Sequence, residues 1–295
     1  MPFLLQCNKI VICKTLNICM EKTYRSIFIS DVHLGTKDCK AESLNNFLKN
    51  NTCNTLYLVG DIIDGWKIKQ NKWRWKQSHT NVIRRILGHA KRNTRVIYVL
   101  GNHDEFFRPF LQYNLNFGMI EMVNQCEHIG TDGKHYLVVH GDLFDGITRL
   151  APWLSILGDR AYDFILSTNS KLNWFLHRIG IGYFSLSRFL KHRVKKAIDF
   201  IFQFEQNLAS YCKKRGFDGV ICGHIHHAEI KQIDGVMYMN DGDWVESCSA
   251  LVEHHNGQWE IVTWTQEKDH VVDDIDSSPH KRSKRHTSTS DAGIS

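Results

Sequence analysis

Five short apolar runs, each closing on a block of histidines, acids or asparagine, constrain this chain more than any other feature. Ser26-Ile27-Phe28-Ile29 leads into Ser30-Asp31-Val32-His33, and Thr55-Leu56-Tyr57-Leu58-Val59 leads into Gly60-Asp61-Ile62-Ile63-Asp64. Arg95-Val96-Ile97-Tyr98-Val99 precedes Gly101-Asn102-His103-Asp104. Tyr136-Leu137-Val138-Val139 precedes His140-Gly141-Asp142, and Val220-Ile221-Cys222 precedes Gly223-His224-Ile225-His226. Continuous apolar runs of this kind read as strands buried on both faces. Helical spacing over 40–49 and 79–91 separates the early runs. Alternating strands and helices predict a layered α/β architecture, in which ligands gather beyond the carboxyl ends of the strands. All five blocks fall at that position. Runs at 236–239, 249–253 and 259–264 read as further strands that complete a second sheet and make a sandwich.

Hydrolysis of a phosphate ester at neutral pH needs a strong nucleophile, neutralisation of the phosphoryl oxygens and a proton for the leaving group. Two divalent cations roughly 3.5–4 Å apart supply the first two, provided the protein offers carboxylates and imidazoles with one carboxylate shared. Asp31 and His33, two residues apart, reach one ion together, and His226 returns to it. Asp61, from the next strand, is placed to bridge, with one oxygen on each ion. Asn102, His140 and His224 serve the second ion. Mixed nitrogen and oxygen ligands suit Mn, Fe or Zn better than Ca or Mg. His103 is left as proton donor or phosphate contact. Asp104 is expected to hold its other ring nitrogen and fix the tautomer.

At 295 residues the chain is long enough for one α/β domain with an insertion. No stretch approaches the roughly 20 apolar residues of a membrane-spanning helix. The lead-in from Met1 to Met20 is interrupted by Lys9 and Lys14 and lacks a small-residue cleavage site, so it is not read as a signal peptide. It has no matching element in the fold and is expected to be dispensable. Nine cysteines without C-x-x-C pairs suit a reducing cytosol. The net charge is +6, but the segment from Ile147 to Gly216 carries +8, leaving −2 for the rest. Such a patch attracts a phosphorylated substrate, an acidic lipid surface or nucleic acid.

The motifs D-x-H, G-D-x-x-D, G-N-H-D, H-G-D and G-H-x-H, in that order, resemble the calcineurin-like metallophosphoesterases. The resemblance runs from Ser26 to about Trp264. It implies a four-layer α/β/β/α sandwich, the ligand division above, and His103 acting near the leaving group. Gly60-Asp61-Ile62-Ile63-Asp64-Gly65-Trp66, His140-Gly141-Asp142-Leu143-Phe144-Asp145 and Asn240-Asp241-Gly242-Asp243-Trp244-Val245-Glu246-Ser247 are similar to the UDP-2,3-diacylglucosamine diphosphatase branch. That branch implies cleavage of the pyrophosphate of a nucleotide-linked acylated sugar to UMP and an acylated sugar 1-phosphate, as in lipid A synthesis. It also implies Mn2+, a helical insertion holding the acyl chains, and a cytoplasmic enzyme in peripheral contact with the anionic inner membrane. Its characterised members carry Arg where this chain has His103, which matches the wider superfamily pattern instead.

The expected domains are a non-core extension over 1–22, the catalytic domain over 23–265 with a helical cap inserted at 147–215, and a disordered polar tail over 266–295. In the cap, Arg188, Lys191, Arg193 and Lys195 are candidate contacts to an anionic substrate, with apolar residues such as Trp153, Phe164 and Phe204 beside them. Trp66, which opens a loop that continues to Trp73-Arg74-Trp75, stacks a base, lines an acyl groove or packs sheet against cap. Asp64 is a candidate for orienting a metal ligand, and Asp142 and Asp145, which flank His140, are candidates for supporting a metal ligand or, Asp145 above all, for contacting the substrate. The competing readings are a phosphodiesterase or phosphatase for a soluble nucleotide or phosphoprotein, and a metal-free scaffold. Every ligand position is filled, which argues against the scaffold. No nucleic-acid module is recognisable, so no nucleic-acid partner is expected.

Overall fold

Strand register brings the motif blocks together. In the computed structural model, which describes residues 22–113, 119–144 and 186–264, β1 (Lys22–Ile29), β2 (Asn51–Val59) and β3 (Arg95–Val99) lie side by side and parallel. Ile29 pairs with Leu58 and Val59 with Val99, so the blocks holding Asp31, Asp61 and Asn102 leave the sheet along one edge. β4 (Ile120–Val123) adds to β3. On the other side β10 (Ser249–Glu253) and β11 (Trp259–Thr263) follow β1, giving the order β11-β10-β1-β2-β3-β4.

The second sheet is built from β5 (Gln125–Ile129), β6 (His135–Val139), β7 (Gly219–Cys222), β8 (Glu229–Ile233) and β9 (Val236–Asn240), in the order β5-β6-β7-β9-β8. β6, β7 and β9 are parallel, so His140 and His224 also emerge together.

Of the late strands, only β9 joins the second sheet as expected. β10 and β11 belong to the first, with β10 antiparallel to β1 through Ser26–Glu253 and Phe28–Leu251. Burial explains the placement. All five residues of β10 are buried, which requires cover on both faces. Between β1 and β11, Ala250 and Val252 enter the core beneath the helices while Leu251 enters the core between the sheets.

Three apolar cores define four layers. α1 (Ala41–Asn50) and α3 (Gln77–Lys91) cover the outer face of the first sheet. Leu44, Phe47 and Leu48 of α1 and Val82 and Ile86 of α3 bury against Ile27, Ile29, Leu56 and Leu58. These helix positions recur every three or four residues, the spacing of one apolar stripe. Between the sheets, Phe28, Tyr57, Val59, Ile97 and Val99 meet Tyr136, Val138, Ile221 and Met239. Neighbours along β1 thus enter opposite cores, as the twofold alternation of a strand dictates. On the far side α4 (Leu186–Lys214) buries Phe204, Leu208, Ala209 and Cys212 against Val220, Cys222 and Tyr238.

The expected cap at 147–215 includes this helix. From Phe204 onward, α4 is the outer layer of the sandwich, because its apolar stripe fits the second sheet. The extension up to residue 21, the cap from 147 to 185 with Trp153 and Phe164, and the tail over 266–295 lie outside the described residues. Among the described residues no helix is long and apolar enough to cross a membrane.

Candidate metal centre

The ends of β1, β2 and β3 from one sheet and of β6 and β7 from the other converge on a buried cluster of acids and imidazoles. Backbone bonds lace the loops together: the amides of Val32 and His33 donate to the Asp61 carbonyl at 3.0 and 2.9 Å. Across the sheets, the His224 amide donates to Asp31 Oδ2 at 2.8 Å. Asp31, His33, Asp61, His224 and His226 all adopt left-handed backbone, with φ of 50°, 51°, 53°, 72° and 54°. Each such conformation costs a non-glycine residue about 1–3 kcal/mol and concentrates at functional sites. It is the geometry by which a chain leaving a strand turns its side chains back over the strand end. Gly60, at φ 88°, takes the same region and lies so close to His140 that a Cβ there would collide with the imidazole.

Two groups of ligand atoms face each other. Asp31, His33 and His226 present atoms within 4.8 Å of one another, and so do Asp61, His140 and His224; His33, Asp64 and His103 make a third such set that shares His33 with the first. Asp61 stands between the first two. Its Oδ2 is 3.4 Å from His140 Nε2 and 4.0 Å from His33 Nε2. Its Oδ1 accepts the His103 amide at 2.8 Å, so Oδ2 is the oxygen that faces both groups, in place of the expected one oxygen for each.

The unsatisfied atoms test whether cations fit. Buried polar atoms are normally hydrogen-bonded, yet Asp31 Oδ1, Asn102 Oδ1 and His140 Nε2 have no such partner. These are the atoms that the expected ligand set would offer to metal. His140 is prepared for it, since its Nδ1–H donates to the Val59 carbonyl at 2.8 Å and leaves Nε2 as the lone-pair nitrogen. The electrostatics agree. Burial opposes the charge on Asp61, but the His140 and His33 imidazoles hold its carboxyl below the usual carboxylate range. Burial likewise opposes protonation of His33, yet Asp31, Asp64 and Asp61 raise it to about 10. Concentrated negative charge here draws in positive charge, which divalent cations supply in place of protons.

Asp64, not Asp104, stands at the His103 ring. Its Oδ1 is 3.1 Å from His103 Nδ1, and its Oδ2 is 3.6 Å from His33 Nδ1. Asp64 also caps α2 (Gly65–Lys69) by accepting the Lys67 amide at 3.0 Å. The Asp104 carboxylate is spent on the amides of Ile62 and Ile63 at 3.1 and 2.9 Å and on the Tyr98 hydroxyl at 2.6 Å. It braces the Asp61 loop against β3. Burial, reinforced by the Asp61 charge, lifts its carboxyl to about 6.

Trp66 lies flat on His103, with ring centroids 4.0 Å apart and planes 29° from parallel, and is itself exposed. It walls the His103 side of the site; Trp73 and Trp75 stack on each other farther along the loop. Asp142 pairs with Arg108 at 2.6 Å. Lys195 is exposed on α4. Arg188, Lys191 and Arg193 fall on α4, but their side chains, like Asp145, lie outside what is described. Sequence reasoning missed the Ser30–Asp241 contact beneath Asp31, at 2.6 Å. Its trace in the sequence is Asp241 inside the Asn240–Ser247 motif, a buried acid with no assigned partner.

The sandwich and the paired ligand groups define a metal-dependent phosphoester hydrolase. The chain belongs to the calcineurin-like phosphoesterase family, whose model matches residues 24–228. Similar solved structures include an archaeal phosphodiesterase, at 11% identity over 81% of this chain and 98% of that one, with a TM-score of 0.37. Another is a dimetal phosphatase from Danio rerio, at 13% identity over 82% and 99%, with a TM-score of 0.40. A third is vacuolar protein sorting 29 from Cryptosporidium parvum, at 11% identity over 80% and 94%, with a TM-score of 0.37. A comparison with curated proteins found no match.

Proposed function

We propose that the chain is a dinuclear hydrolase that cleaves the pyrophosphate of a UDP-linked acylated glucosamine to UMP and an acylated sugar 1-phosphate. The position of Asp61 Oδ2 between two ligand groups carries the dinuclear part of this reading. Asp31, His33 and His226 would hold one cation, Asn102, His140 and His224 the other, with Asp61 shared. Bound there, the cations supply charge neutralisation at the phosphoryl group and an ionised water. The chain's own residues do the rest. Asp64 orients His33 and His103 through their Nδ1 atoms. His103, backed by Trp66, delivers a proton from Nε2 to the departing oxygen. Asp31, Asp61 and His140 are buried, which strengthens their charge interactions.

The substrate half of the reading is supported by the three motif stretches around Asp61, His140 and Asp241 and by the basic charge of 147–216. The measurement is kcat/KM for the acylated and the deacylated UDP-sugar at low detergent. Burying each methylene is worth about 0.8 kcal/mol, so a strong preference for the acylated form is expected. Equal rates, or faster cleavage of a soluble nucleotide diester, transfer the chain to a second reading, a phosphodiesterase for small nucleotides. His103 favours that second reading, because a proton donor at the leaving group serves alcohol leaving groups, which are poorer than phosphates.

A further inference from the structure

Beneath the candidate metal centre, Ser30 and Asp241 form a polar contact that no part of the proposed reaction uses. Ser30 Oγ is 2.6 Å from Asp31 Oδ2 and 2.6 Å from Asp241 Oδ1, with the Gly242 carbonyl at 3.2 Å. Ser30 is 1% exposed, and Asp31 and Asp241 are fully buried. Asp241 lies just beyond β9, in the second sheet, while Ser30 and Asp31 follow β1 in the first. The Asp241 amide is tied to the Cys222 carbonyl at 3.0 Å and its carbonyl accepts the Ser249 hydroxyl at 2.9 Å. The acid is therefore held by its own backbone, independently of Asp31.

The consequence falls on Asp31. Its Oδ2 accepts the His224 amide at 2.8 Å and meets the Ser30 hydroxyl. Its Oδ1 has no hydrogen bond and faces His226 Nε2 at 3.2 Å and His33 Nε2 at 3.7 Å. A carboxylate free to rotate would offer a cation either oxygen in several orientations. Ser30 has a single proton to donate; given to Asp31 Oδ2 it joins the His224 amide in holding that oxygen and leaves the Asp241 carboxyl to contact Ser30 Oγ as the donor, so Oδ1 is the oxygen that faces the ligand group. Gly223 makes the junction this tight, since a Cβ there would collide with both Ser30 Oγ and Asp31 Oδ2.

Resting on the dinuclear reading, we propose that Ser30 and Asp241 are positioning residues that fix the Asp31 carboxylate for the cation held with His33 and His226. They act on one of the two cation positions. Asp61, His140 and His224 form the other group, in which Val59 braces His140, His103 braces Asp61, and His224 reaches the Ser30–Asp31 junction through its backbone amide and not its ring. Partners that orient metal ligands typically matter about 10–100-fold in metal affinity.

The test is calorimetric titration of metal-free protein with Mn2+ alone, resolving two binding steps, together with metal content after gel filtration. Ser30→Ala and Asp241→Ala are each expected to weaken one step about 10–100-fold and to leave the other within about threefold. Asp241→Asn, whose amide offers Ser30 either a donor or an acceptor, is expected to stay within about threefold of wild type at both. Wild-type affinity at both steps in the alanine variants overturns the proposal. So does equal weakening of both steps, or a fall in the thermal midpoint of the metal-free protein without a selective loss, since either marks a purely structural contact. Should Asp241→Ala fail to fold, Ser30→Ala decides alone, because it removes only an oxygen. If wild-type protein takes up fewer than two ions, the dinuclear reading fails, and that result is distinct from any change on mutation.

Discussion

His103 Nδ1 stands 3.1 Å from Asp64 Oδ1, while the same acid turns its other oxygen toward His33 Nδ1 at 3.6 Å. One carboxylate thus addresses a ring expected to bind metal and a ring expected to move a proton. Both imidazoles turn Nδ1 toward Asp64 and Nε2 toward Asp61, the latter at 4.0 Å for His33 and 3.8 Å for His103. A carboxylate on one ring nitrogen sets which nitrogen is available for chemistry.

Replacing His103 with Ala is expected to leave both metals bound. A positioned general acid contributes about 10²–10⁴-fold. The loss should therefore appear on substrates with poor leaving groups and shrink on activated aryl esters, which need no proton. Asp64→Asn should reproduce part of this loss and also weaken one metal. Steady-state rates on an alkyl and a nitrophenyl ester, beside metal content, check both variants. Equal losses on the two esters count against the acid role of His103.

Asp61→Ala is expected to abolish activity and bring metal content to one equivalent or less. Among the described residues Asp61 is the carboxylate placed between the two ligand groups, so a clamp on the phosphoryl group loses its shared side. Elemental analysis after gel filtration is the readout. Two retained equivalents, with more than a few per cent of the rate, would show the ligand assignment to be wrong.

Trp66 acts on His103 by packing alone. Aromatic pairs contribute about 0.5–1.5 kcal/mol beyond buried area, which converts to a rate effect of roughly 2–10-fold. Trp66→Ala should lower kcat on the alkyl ester by that factor while metal content stays at wild type, and Trp66→Phe should restore most of it. A larger effect on KM than on kcat would instead place Trp66 against the substrate.

The local pattern sufficed for the buried strands and for the edge strand β11, and failed at the other three edges. Arg95–Val99 and Ser249–Glu253 appear with the residues expected. β4, β5 and β8 were not legible, and all three are sheet edges. Most residues of Ile120–Val123 and Glu229–Ile233 are only half-buried, and Gln125–Ile129 alternates exposed with covered positions. None of them makes a continuous apolar run. Sheet membership of β10 was illegible for another reason: an all-apolar strand fits the interior of either sheet, and long-range pairing decides. The acids and imidazoles of the two facing groups at the strand ends could be picked out because each follows an apolar run by one to four residues. The Asp64–His103 and Ser30–Asp241 contacts join residues 39 and 211 positions apart, and nothing local signals either. Asp104, next to His103 in sequence, was the natural partner to choose, but the turn after Asn102 sends its carboxylate toward β2 instead.

Far from the metal centre, Glu253 joins the two sheets and sets an acid limit on stability. Its carboxylate accepts from Arg25 at 2.7 Å, from the Thr131 amide at 2.8 Å and from the Thr131 hydroxyl at 2.9 Å, and pairs with His128 at 2.9 Å. The His128 ring is in turn bonded to the Tyr57 hydroxyl at 3.0 Å. Burial opposes the charge, but His128, Thr131 and Arg25 together bring the carboxyl down from 4.5 to about 2. A carboxyl lowered on folding stabilises the native state at pH values above its unfolded pKa. That stability is lost as the pH falls from about 4.5 toward 2, where the folded carboxyl takes up its proton. Glu253→Gln should therefore cost on the order of 3 kcal/mol near neutrality, the scale for removing one partner of a buried ion pair. The difference from wild type should narrow steadily below pH 4.5. Urea midpoints of metal-free wild type and variant, measured from pH 7 to pH 2.5, isolate this group, because the other acids titrate in both proteins. A difference that stays constant across that range would mean that the carboxylate's charge contributes nothing and that the loss comes from packing.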